Sequence, residues 1–526
     1  MPEPGIASLL PVAATLLVAL LARNVLVGLF TGVVVGVAMI GETGVLMFVP
    51  SLVRDHLVPE VADSYNASVL VLLAFIGGFV KLIESSGGGA AFARSAARFV
   101  SGRLRAQLAA WGGGIVIFFS DLGTPLIIGP VFQSLMDQLQ LSRQKLAFIL
   151  DSTSSPVAIL IPFIGWGVFI MSVIADAYAA NGVTGDEYAA FVAAIPFQVY
   201  AWLAITMVPV LAWLDFDYGP MRRAKPAPEV STAESGDTAA SRATPILVWL
   251  PLLVLGATLF GVLARYGFPF QQVAGADFRA ALSAAYFFAA LTLLALLLGN
   301  RLQSPAVAIG RYIDGVSGMM PIAATLVLAW ALGDVSAALG TGVYVAEVAR
   351  EGVSGGFLPA LVFLLAAVIS FATGSSWGTI IIMMPLAVPA AIATDAMMPV
   401  VIGAVLSGGL FGDHSSPVSE TTLLSSTGAG TTPLEHFRTQ LPYALTNGAI
   451  ALVAFTVAGQ TGWVWVAGTR RRRAVPAAGR PVAHHSSSVC AVAARRVAAV
   501  PLRPGPCPAF WHWPGPFDRV RCSPHR

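Results

Sequence analysis

The chain has 526 residues, of which 56% are hydrophobic and only 11% are charged, whereas a typical soluble domain has about 25% charged residues. This composition excludes a water-soluble globule and predicts a membrane protein. The formal net charge of +3 is unevenly distributed, because most of the positive charge lies near the C-terminus.

Hydrophobic runs of about 20 residues, the length that a helix needs to cross a bilayer, recur from Ile6 onward. In the first half they predict helices at 6–22, 25–40, 67–84, 108–139, 146–175 and 188–214. Glycine and proline are frequent within these runs, and ten-residue polar–apolar alternation is absent, which favours a helical bundle over a barrel. Residues 1–214 are therefore predicted to form a first membrane repeat.

A polar stretch at 215–244, rich in Pro, Ala, Ser and charged residues, is predicted to be a cytoplasmic linker between two halves. After it, hydrophobic runs predict helices at 245–265, 280–298, 318–339, 357–393, 399–411 with a continuation past Glu420, and 441–466. The number of predicted elements is the same on both sides of the linker. Residues 245–468 are therefore predicted to form a second membrane repeat.

The segment 469–526 has a different composition from the rest of the chain. It contains 11 Arg and a single acid, Asp518, together with all three cysteines, Cys490, Cys507 and Cys522. We expect this basic, Pro- and Arg-rich tail to be disordered, and its composition also fits out-of-frame translation of a GC-rich gene. Because the body before it contains no cysteine, neither a disulfide framework nor a thiolate metal site is expected there.

Short matches between the two halves indicate an ancestral duplication. Gly123-Thr124 followed by Pro130 recurs as Gly378-Thr379 followed by Pro385, with an offset of 255 residues for all three positions. The segment that begins at Asp151 and reaches Ser-Pro-Val recurs in the segment that begins at Asp413, with an offset of 261 or 262. The matches occur in the same order and at nearly the same spacing.

Each half has two predicted helices that are interrupted midway by polar or helix-breaking residues. The interruptions lie at 120–125 and 151–156 in the first half, and at 373–379 and 412–422 in the second. Unwound backbone at membrane depth occurs only where protein or a water-filled cavity satisfies it. Paired discontinuous helices in corresponding positions are the best sequence indication of a transporter's binding site.

The distribution of Lys and Arg predicts the orientation of the helices. Basic residues flank the segment 108–139 on both sides, which places both of its ends in the cytoplasm if it is a re-entrant hairpin. The loop 176–187 contains acids but no Lys or Arg and is predicted to lie outside. Each half would have five crossings plus one hairpin, and the hairpin enters and leaves on the same side. Because the number of crossings is odd, the second half would be inserted with the opposite orientation. The four arginines at 470–473 would then lie outside, which conflicts with the preference of basic residues for the cytoplasmic side.

The predicted fold is thus an all-α polytopic membrane protein. It consists of two inverted repeats, each with about five transmembrane helices and a re-entrant hairpin, and its broken helices lie at the midplane. A carboxylate at the bilayer centre costs about 2.5 to 3.5 kcal/mol or more, so acids at the breaks require an explanation. Four such acids are Asp121, Asp151, Asp413 and Glu420.

Hydroxyl side chains surround these acids and suggest an ion site. Hard cations such as Na⁺ favour carboxylate, carbonyl and hydroxyl oxygens over soft ligands. Burial also moves a carboxylate towards the pH range in which it can be protonated. One carboxylate can then hold either Na⁺ or a proton, which is sufficient for exchange. The candidate neutral oxygens belong to Thr124, Ser154, Ser375, Ser376, Thr379 and Ser416.

The hydroxyl residues, and several other charged residues in the predicted helices, also have other interpretations. Ser and Thr also permit close helix packing, and Lys81 with Glu84 can form a structural ion pair at i,i+3. Asp334 in the matching helix of the second half could line the same cavity. His414, beside Asp413, is a candidate pH sensor because its ordinary pKa lies near neutrality, although a hydrogen-bonded packing role is the more common one.

Motifs for enzymatic chemistry are absent from the sequence. It contains no Gly-x-Ser-x-Gly elbow, no P-loop and no His-Glu-x-x-His. The consecutive residues Asp413, His414 and Ser415 have the residue types of a hydrolytic triad, but three adjacent side chains do not easily align as nucleophile, base and orienting group. The chain is therefore not expected to be an enzyme, and no cofactor is expected.

Two segments, 151–167 and 407–428, resemble the NhaC family of Na⁺/H⁺ antiporters, and the resemblance extends over roughly 6–466. It implies membership of the broader ion transporter superfamily, whose members have inverted repeats with two opposed re-entrant hairpins and commonly move by an elevator-like motion. One position differs, because Glu420 stands where the family often has Asp. Some members resemble exchangers of malate and lactate, so the substrate does not follow from the family alone.

The predicted function is a multi-pass secondary active transporter of the inner cell membrane that exchanges cytoplasmic Na⁺ for external H⁺. Asp151 and Asp413 would bind Na⁺ and protons, while Asp121 and Glu420 would complete the sites. No nucleic acid partner is expected, and a homodimer stays open. The alternatives are a Na⁺-coupled exchanger of a small organic anion or amino acid of the malate/lactate type, a passive cation channel and an intramembrane hydrolase.

Overall fold

The computed structural model describes residues 5–22, 24–41, 45–97, 100–224, 243–268, 273 and 275–461. The predicted tail, 469–526, and most of the predicted linker, 225–242, lie outside the described residues. Within the described ranges the chain is helical and contains no strand. This confirms the prediction of an all-α protein.

The first half contains thirteen α-helices among the described residues. They are α1 Leu10–Ala22, α2 Val25–Ile40, α3 Val45–Ser51, α4 Val58–Ala62, α5 Ser64–Ser85, α6 Gly88–Ala97, α7 Arg103–Val116, α8 Gly123–Gln138, α9 Arg143–Ser152, α10 Ser155–Ala158, α11 Gly165–Ala180, α12 Glu187–Ala194 and α13 Val199–Leu214. Short 3₁₀ segments at Ile6–Leu9, Ile195–Phe197 and Gly219–Arg223 and a π-helical turn at Leu52–Leu57 accompany them.

The second half contains ten α-helices among the described residues. They are α14 Ile246–Arg265, α15 Gly275–Gly299, α16 Pro305–Gly318, α17 Met320–Ala338, α18 Thr341–Gly352, α19 Leu358–Thr373, α20 Ser376–Ala393, α21 Met398–Ser415, α22 Glu420–Ala429 and α23 Pro433–Thr461. The predicted interruptions of the hydrophobic runs all coincide with ends of these helices.

Seven helical segments in the described part of the chain are long and apolar enough to cross a bilayer. They are Ser64–Ser85, Val199–Arg223, Ile246–Arg265, Ala276–Gly299, Pro305–Ala338, Ser376–Ala393 and Pro433–Thr461. Large apolar side chains such as Leu21, Trp213 and Val368 are exposed on the outside of the helix bundle, as expected of surfaces that face lipid. The protein is therefore a multi-pass membrane protein. The inverted arrangement of two repeats stays a prediction.

The structure corrects several of the predicted helices. The runs 146–175 and 188–214 each divide further, because the chain leaves the helix between α10 and α11 and again before α13. Helices α3, α4, α6, α16 and α18 had no predicted counterpart, because none of them by itself forms a hydrophobic run of about 20 residues, the pattern on which the predicted helices rest. Helix α23 begins at Pro433 rather than near 441, because the Thr432 hydroxyl accepts a hydrogen bond from the backbone N–H of Glu435.

The two predicted hairpin tips have the same local hydrogen bonds. At the start of α8, the Ser120 hydroxyl accepts from Gly123 N–H at 2.9 Å, and the Thr124 hydroxyl donates to the Ser120 carbonyl at 2.7 Å. At the start of α20, the Ser375 hydroxyl accepts from Gly378 N–H at 3.2 Å, and the Thr379 hydroxyl donates to the Ser375 carbonyl at 2.8 Å. The residues involved are those related by the offset of 255.

A glycine crossing brings α8 against α22. A Cβ on Gly129 would lie 2.2 Å from the carbonyl oxygen of Gly428, and a Cβ on Gly428 would lie 2.2 Å from the carbonyl oxygen of Pro125. Only glycine permits such a close backbone approach. The Gln133 amide also donates to the Gly428 carbonyl at 2.7 Å. Helix α8 is thereby fixed against α22, which follows a break in the second half.

Candidate functional site

Asp413 lies near the end of α21, where the chain breaks before α22. Its side chain is 4% exposed. The Ser419 hydroxyl donates to Oδ1 at 2.6 Å, and the hydroxyls of Ser376 and Thr421 lie 3.4 and 3.5 Å from Oδ2. The break therefore places one carboxylate among three hydroxyl groups that come from the start of α20, the loop and the start of α22.

Asp151, near the end of α9, has different neighbours. It is fully buried, and its Oδ2 accepts a hydrogen bond from the Gln440 amide and lies 3.3 Å from Nε2 of His436. The same oxygen is 3.5 Å from Nε2 of His414, while the Ser425 hydroxyl donates to Oδ1 at 3.3 Å. Asp151 therefore contacts two imidazoles and an amide, unlike Asp413.

His414 follows Asp413 in the chain, and its imidazole lies next to Asp151. Its Nδ1 lies 2.8 Å from the Tyr200 hydroxyl, and its backbone carbonyl accepts from the Gln440 amide at 2.6 Å. It is buried, so the proposed pH-sensing role concerns a group that is shielded from bulk water. That role stays a prediction.

Three residues of this cluster, Tyr200, His436 and Gln440, were not found by sequence reasoning. His436 and Gln440 are four residues apart and therefore lie on one face of α23. This polar pair would have been a signal, but it precedes the predicted start of the helix near 441. Tyr200 lies in an apolar helix, where no local pattern distinguishes it from a packing residue.

Asp121 and Glu420 face a cavity of about 510 Å³. Asp121 is half-buried in the break between α7 and α8, and its Oδ2 accepts from the Trp166 indole N–H at 2.8 Å. Glu420 is exposed at the start of α22, and Ser375 lines the same cavity from the start of α20. The structure thus brings these three predicted residues together in one space.

The remaining predicted hydroxyls are buried and bond to backbone. Thr124 and Thr379 donate within their own hairpin tips, and the Ser154 hydroxyl donates to the Asp151 carbonyl at 3.0 Å. The Ser416 hydroxyl accepts from Val418 N–H at 3.4 Å. Of the six predicted neutral oxygens, therefore, the Ser376 hydroxyl is the one that contacts a predicted carboxylate.

Glu84, for which an ion pair with Lys81 was predicted, also lines the cavity. Its Oε1 accepts from the Ser120 hydroxyl at 2.5 Å, and its Oε2 lies 3.6 Å from Nζ of Lys81. Glu84 therefore connects α5 to the segment before α8 through Ser120, and it also forms an ion pair with Lys81.

No group of three or more His, Cys, Asp or Glu side chains within the described residues could hold a metal ion. A carboxylate with neutral oxygen neighbours is a different kind of cation site. Asp413 has such surroundings in its hydroxyl neighbours, and a monovalent hard cation is compatible with them.

Comparison with known proteins assigns the chain to a family. The model of the Na⁺/H⁺ antiporter family matches residues 157–460. An uncharacterized protein of Haemophilus influenzae is 30% identical over 473 residues, which are 86% of this chain and 91% of that protein. A malate-2H⁺/Na⁺-lactate antiporter of Bacillus subtilis is 37% identical over 115 residues, which are 20% of this chain and 23% of that protein.

The fold also resembles that of a solved transporter. The YdaH transporter of Alcanivorax borkumensis superimposes with a TM-score of 0.54 over 80% of this chain and 89% of its own, at 15% sequence identity. At this identity the similarity concerns the fold alone. The match to the family model and the similarity to the Haemophilus influenzae protein extend over most of the membrane body, and the chain accordingly belongs to the Na⁺/H⁺ antiporter family.

Proposed function

We propose that this protein exchanges cytoplasmic Na⁺ for external H⁺ across the inner cell membrane, with Asp413 as the carboxylate at which the two ions compete. The observation that carries the proposal is the surroundings of Asp413. This buried acid lies at a helix break, and its side-chain contacts are the hydroxyls of Ser376, Ser419 and Thr421.

Hydroxyl neighbours make this carboxylate suitable for both ions. A hydroxyl is a donor and also carries two acceptor lone pairs, and it can rotate to present either. With Na⁺ bound, the hydroxyl oxygens would turn their lone pairs to the cation; with the carboxylate protonated, they would pair with a neutral acid. Because a single negative charge needs only one positive charge to balance it in a low dielectric, binding of one ion excludes the other.

Asp151 is proposed as the second proton-linked group of the exchange. The Gln440 amide donates to its carboxylate, and the Nε2 atoms of His436 and His414 lie 3.3 and 3.5 Å from the same oxygen, so these nitrogen groups occupy positions that oxygen ligands of a metal cation would need. Imidazoles are the side chains that most readily gain and lose a proton near neutral pH. The sequence-based hypothesis of Na⁺ at both Asp151 and Asp413 is therefore narrowed to Na⁺ at Asp413.

Asp121 and Glu420 are proposed to attract the cation on its path to Asp413. Both face the cavity, and both lie within electrostatic range of Asp413. Four carboxylates and one lysine line this cavity, which supports a cation rather than an organic anion as the transported solute. The organic-anion alternative, suggested by the Bacillus subtilis relative, has no matching positive surface there.

The proposed domain organisation follows from the same duplication that the sequence indicates. Residues 1–214 and 245–468 would be the two repeats, inserted with opposite orientation and joined by the cytoplasmic linker 215–244. The matched hydrogen bonds at the starts of α8 and α20 support this proposal.

The proposal is tested by Na⁺-induced proton release from everted membrane vesicles in which a respiratory substrate has established an acid interior. Wild-type vesicles should release protons when Na⁺ is added, and Asp413→Asn should abolish the release. Asp55 is exposed, pairs with Arg54 and does not line the cavity, so Asp55→Asn is the control for the loss of one acid and should behave as wild type. Undiminished exchange by Asp413→Asn would refute the assignment. Na⁺ conductance without proton release would instead indicate a channel.

A further inference from the structure

The cavity that contains Asp121 and Glu420 is larger than a single metal ion needs. Its volume of about 510 Å³ lies within the range of roughly 300 to 1,000 Å³ that is usual for sites of small organic ligands. Its walls come from α5, α11, α16 and α17, and the segments at the starts of α8 and α20 complete the lining. Apolar side chains such as Phe169, Met319 and Ile322 form much of the wall, which a bare cation would not use.

The charges in the cavity favour a positive ligand. Of its four carboxylates, Glu84 pairs with Lys81 at 3.6 Å, and Asp314 lies 3.9 Å from Arg311. The other two carboxylates, Asp121 and Glu420, have no ion pair with any basic side chain in the described part of the chain. They lie within electrostatic range of each other. Two carboxylates without basic partners therefore face one space.

Aromatic rings lie beside Asp121. The ring of Trp377 has its centroid 4.7 Å from that of Trp166 and 4.2 Å from that of Phe169. The Trp166 indole N–H donates to Asp121, which fixes the ring next to the carboxylate. Indole faces attract organic ammonium groups, and the attraction is stronger when water is excluded. An apolar wall next to two acids suits a ligand with a hydrocarbon chain and a cationic end.

We propose that this cavity binds a small organic cation, a diamine with a short hydrocarbon chain, with one ammonium group at Asp121, the other at Glu420, and the chain against Trp166 and Trp377. The inference rests on the proposed function, which it extends by adding an organic amine to the cations that the protein exchanges. A diamine of four carbons matches the two unpaired carboxylates in charge and is the probe of choice.

The test measures the thermal unfolding of the purified full chain in detergent, without Na⁺ and at constant ionic strength. The probe is 1,4-diaminobutane, and 1,4-butanediol and succinate are matched probes of the same chain length without charge or with negative charge. The diamine should raise the melting temperature by a few degrees in a saturable way, while the diol and the diacid should not. Equal shifts with all three probes would refute the proposal.

Two variants test whether the diamine binds at Asp121 and Glu420. Glu420→Gln changes an exposed side chain and should leave folding intact, yet it should weaken the apparent affinity for the diamine about tenfold, the usual effect of losing one charge-assisted hydrogen bond. Asp121→Asn should have a similar effect. The control Asp55→Asn should not alter the affinity. A diamine affinity that is the same in both cavity variants as in wild type would place binding elsewhere and overturn the inference.

The experiment separates this inference from the proposed function when Na⁺-induced proton release is measured on the same protein. Proton release without any diamine effect would overturn the inference and leave the proposed function standing. A diamine effect that depends on Asp121 and Glu420, without Na⁺-induced proton release, would overturn the proposed function and support the cavity as an organic cation site. Competition between the diamine and Na⁺ in the release assay would support both.

Discussion

The carboxylate of Asp151 and the imidazole of His436 lie 3.3 Å apart, although 285 residues separate them in the chain. The contact joins the broken helix of the first half to the last described helix of the second. Asp413, which the duplication pairs with Asp151, has hydroxyl neighbours instead. Two acids in corresponding positions of the sequence therefore have different chemical surroundings.

The contributions of Asp151 and His436 to stability should be strongly coupled, since both side chains are fully buried. His436→Leu leaves the carboxylate with fewer partners and should lower the free energy of unfolding by about 3 kcal/mol, as breaking one side of a buried pair does. Adding Asp151→Asn should recover part of this loss. The double-mutant cycle, measured by unfolding in mixed detergent–SDS micelles, should give a coupling of about 1 kcal/mol or more. Strictly additive effects would contradict the contact.

Ser419 should matter for Na⁺ because its hydroxyl donates to Asp413. Ser419→Ala removes this hydroxyl and should raise the Na⁺ concentration for half-maximal proton release about tenfold, which corresponds to about 1.4 kcal/mol. Ser419 also caps α22, where it accepts from Thr422 N–H. The control is Ser304→Ala, which removes the cap of α16 at an exposed position. If both variants shift the Na⁺ dependence equally, loss of a helix cap explains the effect.

The crossing of α8 and α22 should not tolerate a methyl group. Gly129→Ala and Gly428→Ala each place a Cβ 2.2 Å from a backbone oxygen, and overpacking of this kind costs about 1 to 3 kcal/mol. Both variants should melt at lower temperature and transport more slowly. Gly112→Ala, where nothing lies within 4 Å of the added Cβ, is the matched control and should be neutral or slightly stabilising.

Arg279 joins three helices in a nearly buried position. Its Nε donates to Ser68 at 2.8 Å, its Nη1 to Glu187 at 2.9 Å, and its guanidinium carbon lies 3.9 Å from the ring centroid of Tyr65. Arg279→Lys should destabilise the protein almost as much as Arg279→Gln, because an ammonium cannot reproduce the planar fork and the stacking. Thermal unfolding measures this loss. Full stability of Arg279→Lys would show that charge alone is sufficient.

The predicted orientation can be checked by cysteine labelling, since the body contains no native cysteine. With the three tail cysteines replaced by serine, Thr184→Cys should react with a membrane-impermeant maleimide in intact cells. Arg222→Cys should react only after the membrane is opened. Both positions are exposed, so accessibility depends on the side of the membrane. The opposite pattern would invert the predicted topology.

Most of the long apolar helices and their interruptions could be predicted from the sequence, because hydrophobic length and helix-breaking residues act locally. Helix α2 was predicted with its observed bounds, Val25–Ile40, and the break between α19 and α20 lies within the predicted 373–379. The short helices α16 and α18 could not be predicted in this way. Their boundaries depend on neighbouring helices, whose positions the hydrophobic pattern does not specify.

The sequence by itself determined the membrane class, the helix breaks and the acids that lie at them, because the cost of unwound backbone and charge in hydrocarbon restricts where such residues can occur. Only the tertiary structure decided which partners each acid has. His436 and Gln440 reach Asp151, and Ser419 reaches Asp413. Likewise, only the packing of α5, α11 and α17 around the hairpin tips forms the cavity that holds Asp121 and Glu420. Contacts between residues hundreds of positions apart arise from helix packing, and no local spacing encodes them.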